Sequence, residues 1–112
     1  MLPLAERLRA NAMFQQVFRE GRSFAEGPVV LNLRLLEGDE RRCGFSVSKK
    51  VGKAVTRNLV KRRLRAAYRA LLPGLPRGFE AVVVARSSAA SADYAMLATA
   101  LRRAFQRAGI EA

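Results

Sequence analysis

Between Glu40 and Glu80 the chain carries no acidic residue, yet twelve Lys and Arg fall there: Arg41, Arg42, Lys49, Lys50, Lys53, Arg57, Lys61, Arg62, Arg63, Arg65, Arg69 and Arg77. A segment of this kind cannot neutralise itself, so it must fold with its apolar residues on a core and its cations on the surface. The rest of the chain holds nine basic and nine acidic residues, which places the whole formal excess of +12 in one contiguous third. A field so concentrated calls for a polyanion, because neutralising phosphates releases condensed counterions and drives association. Nucleic acid is the partner to which the charge points.

The length of 112 residues suits one domain, residues 1–112, with a modest core. Half the residues are hydrophobic, which argues for a folded unit and against a disordered basic tail. The opening stretch, Met1 to Phe14, is interrupted by Glu6, Arg7, Arg9 and Asn11, so no secretory signal is expected. No apolar run approaches the roughly 20 residues of a membrane span, and a cytoplasmic protein is the simplest reading. The single Cys43 sits in an alternating apolar segment as a small core residue, and with no His a His/Cys zinc site is excluded.

Hydrophobic periodicity orders the elements. Asn11 is expected to cap a short helix through Phe14, Val17 and Phe18 that stops at Gly21. A short strand at Ser23 to Ala25 precedes Gly27-Pro28. From Val29 to Leu36 the pattern has period two, with Val29, Leu31, Leu33 and Leu35 on one face. After the turn Glu37-Gly38-Asp39-Glu40, Arg42 to Ser48 alternates Cys43, Phe45 and Val47 against Gly44, Ser46 and Ser48, and the two strands are expected to pair as a hairpin. Lys49 to Val55 is expected to be a flexible loop, and Thr56 to cap a helix from Arg57 to about Leu72, ended by Pro73-Gly74. Phe79 to Ala85 reads as a buried strand, Ser87 to Ser91 as a loop, and Asp93 to Ala108 as a last helix closed by Gly109. The fold class is α+β, an α-β-β-β-α-β-α sandwich with helices against one sheet.

At about 100° per residue, Val60, Leu64, Ala67, Tyr68 and Leu71 share one side of the basic helix. Arg57, Asn58, Lys61, Arg62, Arg65 and Arg69 lie on an adjacent side and form a ridge. Arg57, Lys61, Arg65 and Arg69 follow one another at i, i+4, where like charges repel by a few tenths of a kcal/mol per pair. Positive charge in the first turn also opposes the helix dipole. A sequence selected for stability alone would interleave Glu, so the arrangement implies an external anion. A basic amphipathic helix could instead lie on an anionic membrane, but its apolar stripe is needed to cover the sheet.

The run Ser48-Lys49-Lys50-Val51-Gly52-Lys53-Ala54-Val55-Thr56-Arg57-Asn58-Leu59-Val60-Lys61-Arg62-Arg63-Leu64-Arg65 resembles the signature of the bacterial ribonuclease P protein subunit. Its core, Arg-Asn-x-x-Lys-Arg-x-x-Arg, is met by Arg57, Asn58, Lys61, Arg62 and Arg65. Arg7-Leu8, Asn11 and Phe14-x-x-Val17-Phe18-x-x-Gly21 are similar to the family's opening, and Val82-Val83-Val84-Ala85-Arg86 to its last strand. The resemblance implies a left-handed strand–helix–strand crossover, against the usual right-handed rule. It implies an accessory protein subunit of an endoribonuclease whose RNA subunit, with Mg²⁺ held mainly by that RNA, removes the 5′ leader from precursor tRNA. It further implies two contact surfaces. The catalytic RNA would meet Lys49, Lys50, Lys53, Arg57, Asn58, Lys61, Arg62, Arg65 and Arg69, and the leader would lie in a groove between the first helix and the sheet.

The residues themselves are compatible with a helper role. Asp39 and Glu40, with Glu37 beside them, are the only close acids and read as a solvated turn; no His, no Ser–base pair and no paired helical carboxylates are present. No small-molecule substrate is implied. If Val29, Leu31, Leu33, Leu35, Phe45 and Val47 face the core, then Asn32, Arg34, Ser46 and Ser48 face outward on the proposed groove. Phe14 or Phe18 would border it and stack bases, a contact worth about 1–3 kcal/mol per base, or else anchor the first helix in the core. Family members often have an aromatic residue where this chain has Asn32, which suggests hydrogen bonding there. Arg86 would reach phosphate or cap a loop. Two other readings stand beside the resemblance: a structural RNA-binding protein of the ribosomal type, and a stand-alone nuclease.

Overall fold

The computed structural model describes residues 6–8 and 10–110; the ends of the expected 1–112 domain lie outside that range. Helix α1 (Asn11–Glu20) leads into strands β1 (Arg22–Glu26), β2 (Val29–Leu35) and β3 (Arg41–Val47). Helix α2 (Ala54–Leu71), strand β4 (Phe79–Ala85) and helix α3 (Tyr94–Arg107) complete the chain, in the expected α-β-β-β-α-β-α order. No helix among the described residues is long and apolar enough to cross a membrane.

The sheet order is β1-β2-β4-β3, and this overturns the expected β2–β3 hairpin. Strand β4 lies between them, antiparallel to β2 and parallel to β3. The reason is burial: a central strand is covered on both faces, and only Phe79–Ala85 is apolar enough for that place, with every residue buried except the half-buried Val84. The true hairpin is β1–β2, turned at Gly27 with φ 49°.

Helices α2 and α3 cover one face. Leu31, Leu33, Cys43, Phe79, Ala81 and Val83 from the sheet meet Val60, Leu64, Tyr68, Leu97, Leu101 and Phe105 from the helices in the main core. The rings of Phe45, Tyr68, Phe105 and Phe79 follow one another there at centroid separations of 5.9–6.1 Å. Cys43 is the small core residue expected, and burial pushes its thiol well above the ordinary range. Leu35 is the exception to the alternation: it is 71 % exposed at the end of the β2–β4 ladder, past the last β1 pair at Arg22–Leu33.

Helix α1 and the preceding Leu8 cover the opposite face among the described residues, with Leu8, Val17 and Val82 in a second, smaller core bordered by Met13, Phe14 and Val84. Helix starts differ from expectation by a few residues. Ala10 occupies the cap position of α1 without a side-chain bond, and Asn11 is already helical. Lys53, not Thr56, precedes α2. The expected flexible loop is a 3-10 turn, Lys49–Val51, anchored by buried Val51; Gly52 at φ 151° redirects the chain so that the helix begins three residues before Arg57. Asp93, expected as the first residue of the last helix, is instead the cap of α3, its carboxylate accepting from the Met96 N–H at 2.9 Å.

Candidate nucleic-acid interface

The first surface is the outer side of α2. Val60, Leu64, Ala67 and Tyr68 are buried in the main core, and by helical geometry the ridge lies on the adjacent side, with Asn58, Arg62 and Arg69 exposed and Arg57, Lys61 and Arg65 half-buried at its inner edge. Arg63 falls on the other flank, where its Nη1 donates to the Ala92 carbonyl at 2.9 Å and ties α2 to the start of α3. The ridge and the staple thus separate within a single run of basic residues. Lys49, Lys50 and Lys53 are exposed on the turn that enters α2, and Val55 beside them is 81 % exposed. Arg57 Nε donates to the Gly52 carbonyl at 3.1 Å, which fixes that turn against the helix.

Electrostatics sets this surface apart. The ion pairs among the described residues join Glu6 to Arg41, Glu20 and Glu80 to Arg34, Glu40 and Glu80 to Arg42, and Glu26 to Arg107. None involves α2 or the Lys49–Lys53 turn. Helix α2 also has no acidic residue in its first turn and no side-chain cap, so the positive end of its dipole adds to the cations already there. The arrangement can hold phosphates in a row, with cations one helical turn apart along the ridge.

The second surface is the α1 face of the sheet, which the strand register divides into rows. Arg34, Glu80 and Arg42 form one row, Asn32, Val82 and Gly44 the next, and Val30, Val84 and Ser46 a third. The middle row is buried, the third is half-buried, and in the first only Glu80 is buried while Arg34 and Arg42 stay half-buried. Two expected groove residues are engaged within the protein. Asn32 is 8 % exposed beneath α1 and its Oδ1 accepts from Ser23 Oγ at 2.6 Å. Arg34 is held in an ion pair with Glu80 at 2.8 Å. The alternation gave both residues the correct face, but Asn32 is buried there and Arg34, half-buried, is tied to Glu80 and to Glu20 of α1. Ser46 is half-buried in the open row, and Ser48 is exposed beyond it. Arg86 is exposed, with Nη1 donating to the Gly27 carbonyl at 3.3 Å, so it does tie down the β1–β2 turn.

The two aromatic residues part company. Phe14 is half-buried with its ring directly over Gly44, where a Cβ would stand 2.4 Å from Phe14 Cζ. Phe18 is 41 % exposed. The floor beside them, Val30, Val84 and Met13, was not among the expected site residues, although the outward positions of Val30 and Val84 were readable from the alternation. Among the described residues no three His, Cys, Asp or Glu side chains gather as a metal site.

A ridge of cations without an acidic partner among the described residues, with a half-buried apolar strip edged by Phe14 and Phe18 on the other face of the sheet, fits an RNA-binding protein, and comparison with known proteins decides which kind. The family model described as Ribonuclease P matches residues 2–109. The chain belongs to the ribonuclease P protein family. It is 40 % identical over 107 residues to the ribonuclease P protein component of Symbiobacterium thermophilum, covering 95 % of this chain and 93 % of that one. The component from Clostridium botulinum strain Loch Maree is 39 % identical over 105 residues, covering 93 % and 95 %. Among solved structures, the RNase P protein of Staphylococcus aureus superposes with a TM-score of 0.87 at 30 % identity, over 96 % of this chain and 99 % of that one. The Thermotoga maritima RNase P protein gives 0.81 at 32 % identity, over 91 % and 96 %. Membership in this family implies tRNA processing and an RNA partner within a ribonucleoprotein.

Proposed function

We propose that this chain is the accessory protein subunit of ribonuclease P: its α2 ridge and Lys49–Lys53 turn bind the catalytic RNA subunit, and its α1-face groove holds the 5′ leader of precursor tRNA. The observation that carries the reading is the ridge. Every described ion pair lies elsewhere, so Arg57, Lys61, Arg62, Arg65 and Arg69 have no acidic partner among the described residues and are available to an external polyanion.

The groove reading rests on Phe14, Phe18, Ser46 and the floor of Val30 and Val84. Aromatic faces and an apolar floor accept any base by stacking, and the serine hydroxyls supply hydrogen bonds without a fixed pattern. That suits a leader whose sequence varies from one tRNA precursor to another. Hydrolysis is assigned to the RNA. Mg²⁺ supplies Lewis-acid chemistry in phosphodiester hydrolysis, and among the described residues no three carboxylate, His or Cys side chains gather to hold it. In this reading the RNA subunit holds the ion.

Reconstitution tests the assignment. Purified protein is mixed with bacterial ribonuclease P RNA at low Mg²⁺, and precursor-tRNA cleavage is timed with each component alone as control. Cleavage at the 5′ maturation site that needs the RNA and is accelerated by the protein supports the reading. A protein that adds nothing to a competent RNA would be a general RNA-binding domain, and cleavage by the protein alone would make it a nuclease.

A further inference from the structure

The α1 face hides an ionic row that the two contact surfaces do not use. Glu80 is 4 % exposed and lies in register between Arg34 on β2 and Arg42 on β3. Its Oε1 accepts from Arg34 Nη2 at 2.8 Å and its Oε2 from Arg42 Nη1 at 2.9 Å. Arg34 Nη1 stands 3.6 Å from Glu20 Oε1 on α1, and Arg42 also pairs with Glu40. Five side chains of alternating sign, Glu20, Arg34, Glu80, Arg42 and Glu40, thus run from α1 across three strands to the β2–β3 turn. A carboxylate buried this deeply is tolerable only because both oxygens are paired with cations.

Among the described residues little else fixes α1. Val17 is its one fully buried residue, and the apolar cluster beneath it is small. Phe14 on Gly44 lies toward the N-terminal half of the helix, whereas the ionic row meets its C-terminal end at Glu20. Two separated contacts of this kind determine both the height and the rotation of a helix over a sheet, which a single apolar contact does not.

We infer that Glu80 is a positioning residue for the leader groove: it holds Arg34 against Glu20 and so sets where α1 presents Phe14 and Phe18. Glu80 touches no groove residue and acts through Arg34. The inference rests on the reading of this groove as the leader site.

Glu80→Gln keeps the size and one acceptor oxygen but removes the charge that both guanidiniums share. In the free full-length protein, amide hydrogen exchange across Asn11–Glu20 should quicken by about tenfold or more, while α2 and α3 keep their protection. In the holoenzyme, the preference for precursor over mature tRNA should fall while affinity for the RNA subunit holds. Glu20→Gln leaves Glu80 paired with both arginines and should give the same pattern at about two- to fivefold; it carries the test if Glu80→Gln does not fold. Unchanged α1 exchange in the variant tested overturns the inference. So does a loosened α1 with undiminished preference, provided that Phe14→Ala lowers that preference. If Phe14→Ala also leaves it unchanged, the leader reading of the groove fails, and the exchange data alone decide whether Glu80 positions α1.

Discussion

Gly44 offers the sharpest probe of the packing under α1, because its backbone is not in a glycine-specific conformation and what requires it is the close approach of Phe14 and, less severely, of Leu8. In Gly44→Ala the new methyl carbon would lie 2.4 Å from Phe14 Cζ, 2.8 Å from Cε2 and 3.1 Å from Leu8 Cβ. Carbon atoms settle at about 3.5–4.0 Å, so the ring must retreat by more than about 1 Å or the strand must sink. The ring is half-buried and can swing outward, which holds the cost to the usual overpacking range of about 1–3 kcal/mol. Against this, Ala in a strand gains about 0.5–1 kcal/mol over Gly by losing less backbone entropy. The net expectation is a loss of about 1–2 kcal/mol. A double-mutant cycle isolates the clash: urea denaturation of wild type, Gly44→Ala, Phe14→Ala and the double variant. Once the ring is gone, only the 3.1 Å approach to Leu8 Cβ remains, so Gly44→Ala should cost under about 1 kcal/mol, giving a coupling energy of about 1–2 kcal/mol. An equal cost of Gly44→Ala in both backgrounds would refute the reasoning and place the strain in the strand itself.

Replacing Arg57, Lys61 and Arg65 together by Ala should flatten the salt dependence of RNA binding by roughly two units of log–log slope on single strands; an unchanged slope in filter-binding titrations would remove the ridge from phosphate contact. The Tyr68 hydroxyl is buried without a protein partner among the described residues, and burial pushes its ionisation far above the ordinary range. Tyr68→Phe should accordingly leave thermal stability unchanged or raise it, and a loss exceeding about 1 kcal/mol would reveal a bond to that hydroxyl. Cys43, buried and with its thiol held neutral, should resist alkylation in the native protein at pH 8 and react only on unfolding. Labelling as fast as a free thiol would contradict the core placement.

Much of this was readable along the chain because charge and periodicity are local. The ridge follows from residues spaced along one helix, and Val60, Leu64, Ala67 and Tyr68 proved to be its buried side. What periodicity cannot supply is adjacency. Val29–Leu35 and Arg41–Val47 both alternate, but nothing in either says that a third strand separates them; the clue lay in Phe79–Ala85, whose near-continuous apolar run marks a strand covered on both faces. Asn32 and Arg34 illustrate the same limit at the candidate site. Alternation assigns a face, whereas the position of α1 decides which part of that face remains open. Glu80 was legible only as the acid that closes the basic block, because its two partners come from strands 46 and 38 residues away in sequence.

The central place of β4 also dictates when the protein can come into being. The strand that joins the two halves of the sheet is the last one in the chain, so as synthesis proceeds β2 and β3 have no common neighbour until Phe79–Ala85 has been made. The β1–β2 hairpin and the β3–α2 segment must wait as separate pieces. During that interval the entire basic block is already made, with no finished core beneath it. A nascent chain of this kind meets polyanions before it has a fold, and those that bind its cations weaken the mutual repulsion that docking α2 onto the completed sheet must overcome.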